Sequence, residues 1–497
     1  MPIRFVSLLT LWFAVCFGHN AGAADARKPN VLFIAVDDLR PELGCYGQAH
    51  IHSPNIDRLA ARGVVFERAY CQFPVCNASR ASILTGLRPD STGVLGNGMH
   101  FRKKAPDVVT LPQQFKLQGY VSRSFGKIFH GAFENAYAGT AFHDPQSWSA
   151  PPWLGSPQYY FTPHGIEIAR QVYARKFKKS GAELDGWKNE FVQGLATEAP
   201  DVPDNTLYDG AMTDRAITTL GEMKGKPFFL AVGYLKPHLP FVAPKKYWDL
   251  YDRASLKLPH PATAPKDVPS VALQNGGELR SQYTDMRNAP LSEAQTRELR
   301  HGYYACVSFL DAQIGRLLGE LDRLGLRENT IIVLWGDHGW HLGEQGLWAK
   351  LTDFELAARV PLIVSAPGRT AVGAKSAALV EFVDVYPSLC ELAGLPLPAH
   401  LEGTSFAPLL DAPGKPWKSA AFTQVVHGSA TGRSMRTDRH RFTRWHETKT
   451  PARTVAVELY DHLKDPSETE NIAARPENSA LVKELTVKLE AGWRAAK

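Results

Sequence analysis

The chain has little cysteine and no long block of one charge. Past its first residues it has no apolar stretch long enough for a bilayer. Six cysteines in 497 residues are too few for a disulfide scaffold, so the fold must rest on a hydrophobic core. Fifty-six Lys and Arg stand against 50 Asp and Glu, a mild excess without basic blocks that gives no support to nucleic-acid binding. No His-Glu-x-x-His or paired-cysteine zinc motif occurs. What is present is ordinary globular composition, 44% hydrophobic and 21% charged, which excludes wholesale disorder and collagen-like or coiled-coil repeats. Length alone allows about two to four domains.

Residues 1–24 read as a secretory signal peptide: Arg4 is the positive start, residues 5–17 are apolar apart from Ser7 and Thr10, and Ala21-Gly22-Ala23 is a small-residue cleavage site. The apolar run falls short of the roughly 18–20 residues of a span, so no membrane span is expected in the mature chain. Cleavage removes Cys16 and leaves Cys45, Cys71, Cys76, Cys306 and Cys390, an odd set in which at least one has no partner within the chain. One Asn-x-Ser/Thr sequon, Asn77-Ala78-Ser79, is fewer than a heavily glycosylated lysosomal protein usually carries. Together these features point to a periplasmic or secreted bacterial protein.

Three apolar runs and one weaker, mixed run stop at polar chemistry: residues 31–36 at Asp37-Asp38, 331–335 at Gly336-Asp337-His338, 228–232 at Lys236-Pro237-His238, and the mixed 120–125 at Gly126-Lys127 with His130 beyond. Continuous β-rich runs of this kind suit strands of a parallel sheet covered on both faces. Helical segments lie between them, among them 54–62 and a long amphipathic stretch at 300–324. The class is therefore α/β, where ligands bind outside the carboxyl ends of the strands. One strand-terminal Asp is usually a turn or a cap; four such endings favour a shared site. Asp37, Asp38 and Asp337 are hard oxygen donors whose mutual repulsion a divalent cation would relieve, and an oxygen-rich set favours calcium or magnesium over zinc. His338 fits this set less well, because imidazole suits softer metals.

Residues 71–90 hold Cys76 just before a run, 79–84, that can be helical. A cysteine at a helix N-terminus sits in positive partial charge, and Arg80, four residues on, faces it. An anion bound there would meet backbone N–H groups and a guanidinium.

Cys76, Ser79 and Arg80 followed by Leu84-Thr85-Gly86 resemble the signature of the type I, formylglycine-dependent sulfatases, with Ala78 where that family usually has proline. Asp37-Asp38-Leu39-Arg40-Pro41, Gly126-Lys127-Ile128-Phe129-His130, Lys236-Pro237-His238, Asp337-His338-Gly339-Trp340, Trp348-Ala349-Lys350 and residues 383–389 extend the resemblance along most of the chain. These blocks are most similar to the iduronate-2-sulfatase branch.

The resemblance implies an alkaline phosphatase-like α/β fold with a large, mostly parallel sheet, a catalytic domain at 25–412 and a small C-terminal subdomain with an antiparallel sheet and helix at 413–497. It implies that Cys76 is oxidised to formylglycine by a maturation enzyme acting on its segment. It also implies that one calcium is held by Asp37, Asp38, Asp337 and His338 together with residue 76. A hydroxyl of the hydrated aldehyde would then attack the sulfur of a sulfate ester. In the same chemistry Arg80 and Lys127 position nucleophile and sulfate, His238 and Lys350 protonate the leaving oxygen, and His130 takes a proton as the aldehyde is regenerated.

His301 and His341 match nothing and are expected to be structural. Trp148, Trp153, Tyr159, Tyr160 and Trp187 fall in a loop-rich stretch that can shape a pocket or merely pack. A sulfated saccharide, with a uronate 2-sulfate as one candidate, is the expected substrate. The competing classes are a metal-dependent phosphatase or phosphonate hydrolase, which usually places Ser or Thr at the Cys76 position, and an inactive carbohydrate-binding relative.

Overall fold

A computed structural model describes residues 28–130, 143–155, 158–185, 187, 192–274, 276–287, 290–369, 371 and 373–497; the expected signal peptide lies outside them. The strands that matter are β1 (Asn30–Val36), β2 (Val64–Tyr70), β3 (Val121–Gly126), β4 (Phe228–Tyr234), β5 (Thr330–Gly336), β6 (Arg359–Val360), β7 (Leu362–Ser365) and β8 (Ala374–Glu381). They form one eight-stranded sheet in the order β6-β2-β7-β5-β1-β4-β3, with β8 also on β2. Six strands run the same way, and only β6 and β7 oppose them.

The apolar runs are continuous because both faces of the sheet are covered. Along β1, Leu32, Ile34 and Val36 enter one buried cluster, whereas Val31, Phe33 and Ala35 enter another on the opposite face. On the first face lie α1 (Pro54–Ala60) and α4 (Glu293–Arg323), the latter a 31-residue helix. It starts earlier than the expected residue 300 because Ser292 and Gln295 close a capping box: Ser292 Oγ accepts from the Gln295 amide, and the Gln295 side chain accepts from the Ser292 amide at 3.0 Å. On the second face lies α2 (Cys76–Thr85), buried along its whole length.

The four chemistry-bearing strands are neighbours, β5-β1-β4-β3, and they end in register. Val36 pairs with both Gly336 and Tyr234, and Gly126 pairs with Gly233. Hydrogen bonds from the Asp37 amide to Tyr234 O (3.1 Å), from the Asp337 amide to Val36 O (3.0 Å) and from the Lys127 amide to Gly233 O (2.9 Å) carry the pairing one residue past the strands. Gly233 has to be glycine, because a Cβ there would run into the Lys127 carbonyl.

The C-terminal region is an antiparallel sheet of β9 (Ala420–His427), β10 (Ala430–Thr437), β11 (His440–Glu447) and β12 (Thr450–Asp461), backed by α5 (Ser479–Ala491). Leu485 of α5 joins Met435, Phe442 and Leu459 in its core. Buried ion pairs fasten this unit to the large sheet: Lys418 Nζ reaches Glu381 and Asp384 at 2.6 Å each, and Arg441 bridges Glu355 and Glu468. Among the described residues no helix is long and apolar enough to cross a membrane. The described cysteines, Cys45, Cys71, Cys76, Cys306 and Cys390, are all free thiols.

Candidate active site

The sheet edge brings together the residues singled out on the four strands. Asp37 accepts from Lys127 Nζ at 2.6 Å and from Arg80 at 3.2 Å. Asp337 Oδ2 accepts from Arg80 Nε at 2.9 Å. Asp38 Oδ1 accepts from Lys350 Nζ at 2.8 Å, and the same ammonium lies 3.5 Å from Cys76 Sγ. His338 Nε2 lies 3.3 Å from Cys76 Sγ and 3.3 Å from Asp38 Oδ1. His130 shares a cavity of about 490 Å3 with Cys76, His238 and Lys350.

The backbone is strained where it aims these groups. Asp38 (φ 58°) is left-handed, as are Ala349 (φ 71°) and Leu351 (φ 67°) on either side of Lys350. Non-glycine residues adopt that region only when their surroundings over-determine it, typically at functional sites.

Charge at the site follows from burial. Burial works against the Asp37 carboxylate, but Lys127, His238 and Arg80 outweigh it and hold the group well below the usual carboxylate range. For Asp38, burial wins over Lys350 and His238, so its pKa is raised. The positive end of the helix does not activate Cys76. Burial, reinforced by Asp37, pushes the Cys76 thiol well above its ordinary value against the pull of Lys127 and Lys350. Its helix does begin at Cys76, with Val75 as cap, but desolvation of a thiolate exceeds the favourable end of the helix dipole. As a plain thiol, Cys76 is a neutral and poor nucleophile.

Arg80 also departs from its expected posture. It is fully buried, lies over the Trp335 ring at 5.6 Å, and donates to Asp37, Asp337 and the Lys127 and Ile128 carbonyls rather than into the cavity. Lys236 is structural: burial lowers its pKa, and its ammonium donates to the His238 and Pro240 carbonyls, fixing the loop that carries His238. His301 and His341 are structural as expected, bonded to Trp248 O and Thr352 Oγ1 respectively. Of the five aromatics in the loop-rich stretch only Tyr159 lines the cavity, where Tyr173 and Phe177 join it. Trp153 stacks on Tyr208 and Trp148 packs against Phe129.

A cation fits the carboxylate set. The donor atoms of Cys76, Asp337 and His338 lie within 4.8 Å of one another, as do those of Asp37, Asp38, Cys76 and His238. His338 Nδ1 faces the Gly339 carbonyl at 3.0 Å and must donate to it, which in the neutral ring turns the Nε2 lone pair toward Asp38 and Asp337 oxygens at 3.3 and 3.5 Å. A lone pair facing carboxylates is repulsive until a positive charge sits between them. Asp38 Oδ2 is buried without a hydrogen-bond partner.

A sulfatase family model matches residues 29–395, and one described as the N-sulphoglucosamine sulphohydrolase C-terminal region matches 343–494. The chain belongs to the sulfatase family. It is a sulfuric ester hydrolase. Among its relatives, the iduronate 2-sulfatase of Mus musculus is 38% identical over 433 residues, covering 80% of this chain and 75% of the relative. A sulfatase of Formosa agariphila is 32% identical, covering 100% of this chain and 94% of its own. A phosphonate monoester hydrolase from Silicibacter pomeroyi superposes with a TM-score of 0.72 at 23% identity, over 94% of this chain and 96% of that one, a likeness of fold. The sulfatase's sequence blocks did not reveal Glu278. It stands on α3 (Gly277–Gln282), in a stretch with only turn signals, and its side chain enters the site from outside the sheet.

Proposed function

We propose that this sulfatase removes sulfate from an anionic saccharide through a formylglycine made from Cys76, assisted by one calcium ion. The observation that carries the reading is Cys76 itself, a neutral thiol at the first turn of a buried helix, flanked by Lys350 and His338 at the end of four converging strands. An ordinary cysteine hydrolase would need a thiolate; a maturation target would not. Converted to an aldehyde, residue 76 would supply a hydroxyl nucleophile where Sγ now stands. Asp37, Asp38, Asp337 and His338, with residue 76, would hold the cation, which supplies Lewis-acid charge neutralisation worth several kcal/mol.

The chain's own residues divide the rest of the work. Arg80 holds Asp37 and Asp337 in place, and Lys127 adds positive charge beside Asp37 where the sulfate oxygens gather charge. His238 and Lys350 protonate the leaving oxygen. The first is raised to about 8 because burial, which lowers it, is outweighed by Asp38 with Asp37 and Glu278, so at neutral pH it carries the proton an acid needs. His130 accepts a proton when the aldehyde re-forms. The similarity to iduronate 2-sulfatase and the Tyr159, Tyr173 and Phe177 wall support a sugar ring bearing the sulfate. Export through residues 1–24 places the enzyme in the periplasm or medium, where sulfated polysaccharide fragments arrive.

The test is direct. Purified from a host with the maturation enzyme, the protein should release sulfate from 4-nitrophenyl sulfate and from 2-sulfated uronate disaccharides, and the peptide containing residue 76 should have the mass of the aldehyde. Turnover of 4-nitrophenyl phosphate or a phosphonate monoester in preference to the sulfate would overturn the reading. So would an unconverted thiol without sulfate release.

A further inference from the structure

His238 and Lys350 are both cationic groups on the wall of one cavity, and nothing in their own segments holds them together. Between them stands Glu278. One carboxylate oxygen, Oε1, lies 3.1 Å from His238 Nε2, and the other, Oε2, lies 3.2 Å from Lys350 Nζ. The ring is fixed from its far side, where Nδ1 donates to the Leu239 carbonyl at 2.6 Å. Nε2 can therefore meet a carboxylate favourably only by donating as well.

The glutamate is placed as firmly as the groups it touches. Gln274 Nε2 donates to the Trp348 carbonyl at 2.5 Å, and Gln274 Oε1 accepts from the Gly276 amide at 2.6 Å, tying the start of α3 to the strained segment that carries Lys350. Gly276 takes a left-handed φ of 66° to make that turn, and Leu279 anchors the helix in the core. Asp38 and Cys76 hold Lys350 at 2.8 and 3.5 Å and the Trp340 ring lies 5.0 Å from its ammonium, and Glu278 adds the carboxylate restraint shared with His238.

We propose that Glu278 is a positioning residue for leaving-group protonation, a two-oxygen clamp that sets His238 Nε2 and Lys350 Nζ side by side facing the departing oxygen. The inference rests on the sulfatase reading above. As the sulfur–oxygen bond breaks, the alcohol oxygen keeps the electron pair and takes its proton from Lys350 Nζ, which has a third N–H beyond those aimed at Asp38 and Glu278, or from His238 Nε2 as its N–H leaves Glu278. Glu278 transfers nothing itself. A conservative change at Glu278 should therefore matter in proportion to how much the leaving oxygen needs that proton.

The experiment compares Glu278→Gln and Glu278→Asp with the parent enzyme on a series of aryl sulfates, from 4-nitrophenyl to phenyl to 4-methoxyphenyl, with melting curves to show folding. General acid catalysis contributes about 10²–10⁴-fold, so partial misplacement should make the loss in kcat about tenfold greater for 4-methoxyphenyl than for 4-nitrophenyl sulfate. The dependence of log kcat on leaving-group acidity should steepen, and Glu278→Asp should recover part of it. A uniform loss along the series in folded Glu278→Gln, or none, would overturn the proposal. If the parent releases no sulfate from any member, the sulfatase reading itself fails, which is a different result from parallel slopes in an active parent.

Discussion

Arg80 offers the sharpest perturbation. Its guanidinium has no exposed surface, and it is spent on Asp337 Oδ2 at 2.9 Å, Asp37 Oδ1 at 3.2 Å, Ile128 O at 3.1 Å and Lys127 O. Arg80→Met keeps much of the volume and removes every one of these donors. Removing one partner of a buried pair costs about 3–5 kcal/mol, and Asp37 retains Lys127, so the expected loss is at the lower end, about 3 kcal/mol. Displacing the two carboxylates should also lower kcat/KM about 10²–10³-fold, the range seen when a preorganised electrostatic group is removed. Arg80→Lys restores the charge without the planar fork, so it should regain part of the stability and little of the activity. The pH dependence has a definite sign. Asp37 is held low by its cationic neighbours, Arg80 among them, so its contribution is present at neutral pH and is lost as pH falls through its folded pKa. The stability gap between parent and Arg80→Met should therefore be widest near pH 7 and narrow in acid. Urea unfolding from about pH 2 to pH 7, with turnover of 4-nitrophenyl sulfate at neutral pH, measures both. Stability within about 1 kcal/mol of the parent at pH 7 together with near-normal turnover would refute the reasoning.

Cys76→Ala should abolish turnover, by at least about 10³-fold, while shifting stability by no more than about 1 kcal/mol, since the thiol makes only weak contacts. His341 is buried and its pKa is lowered to about 4 by that burial, against the opposing pull of Glu344. Its unfolded ring takes a proton near 6.5, so its stabilisation is complete above that pH and is lost on acidification to about 4, a change of about 3 kcal/mol that should vanish in His341→Gln unfolding curves. Glu381→Ala would strand Arg88, now paired to both Glu381 oxygens at 2.8 Å, and leave Lys418, paired to it at 2.6 Å, with Asp384 alone. About 3–5 kcal/mol of stability should go, read by urea melts, with the C-terminal sheet becoming the first segment cut by protease. Chelation of divalent cations should lower both melting temperature and sulfate release, and calcium should restore both.

Much of the site was legible because its residues sit at strand ends. Runs such as 31–36 and 331–335 are apolar on both faces, and a residue that follows such a run must emerge at a sheet edge, as Asp37, Asp38 and Asp337 do; Lys127 follows a mixed strand and is marked by the Gly126–His130 block. The capping box at Ser292 was equally readable, yet a helix start at 300 comes too late, because residues 293–298, polar but for Ala294, hide the periodicity. Glu278 left no local trace, since a six-residue helix between turns resembles any surface loop. The aromatics at 148–187 stay undecided in the sequence for the same reason: composition shows that a stretch is aromatic, and only packing separates Tyr159 from Trp148 and Trp153.

The sequence by itself determined the family, the sheet, the carboxylates at the strand ends and the cysteine at the head of a helix, because strand periodicity and fixed short spacings are local properties. Tertiary structure alone decided the electrostatics. Cys76 is a neutral thiol, Arg80 turns to the carboxylates beneath it, and Glu278 joins two cations some 40 and 70 residues away, because burial and through-space contact depend on what the folded chain excludes from water.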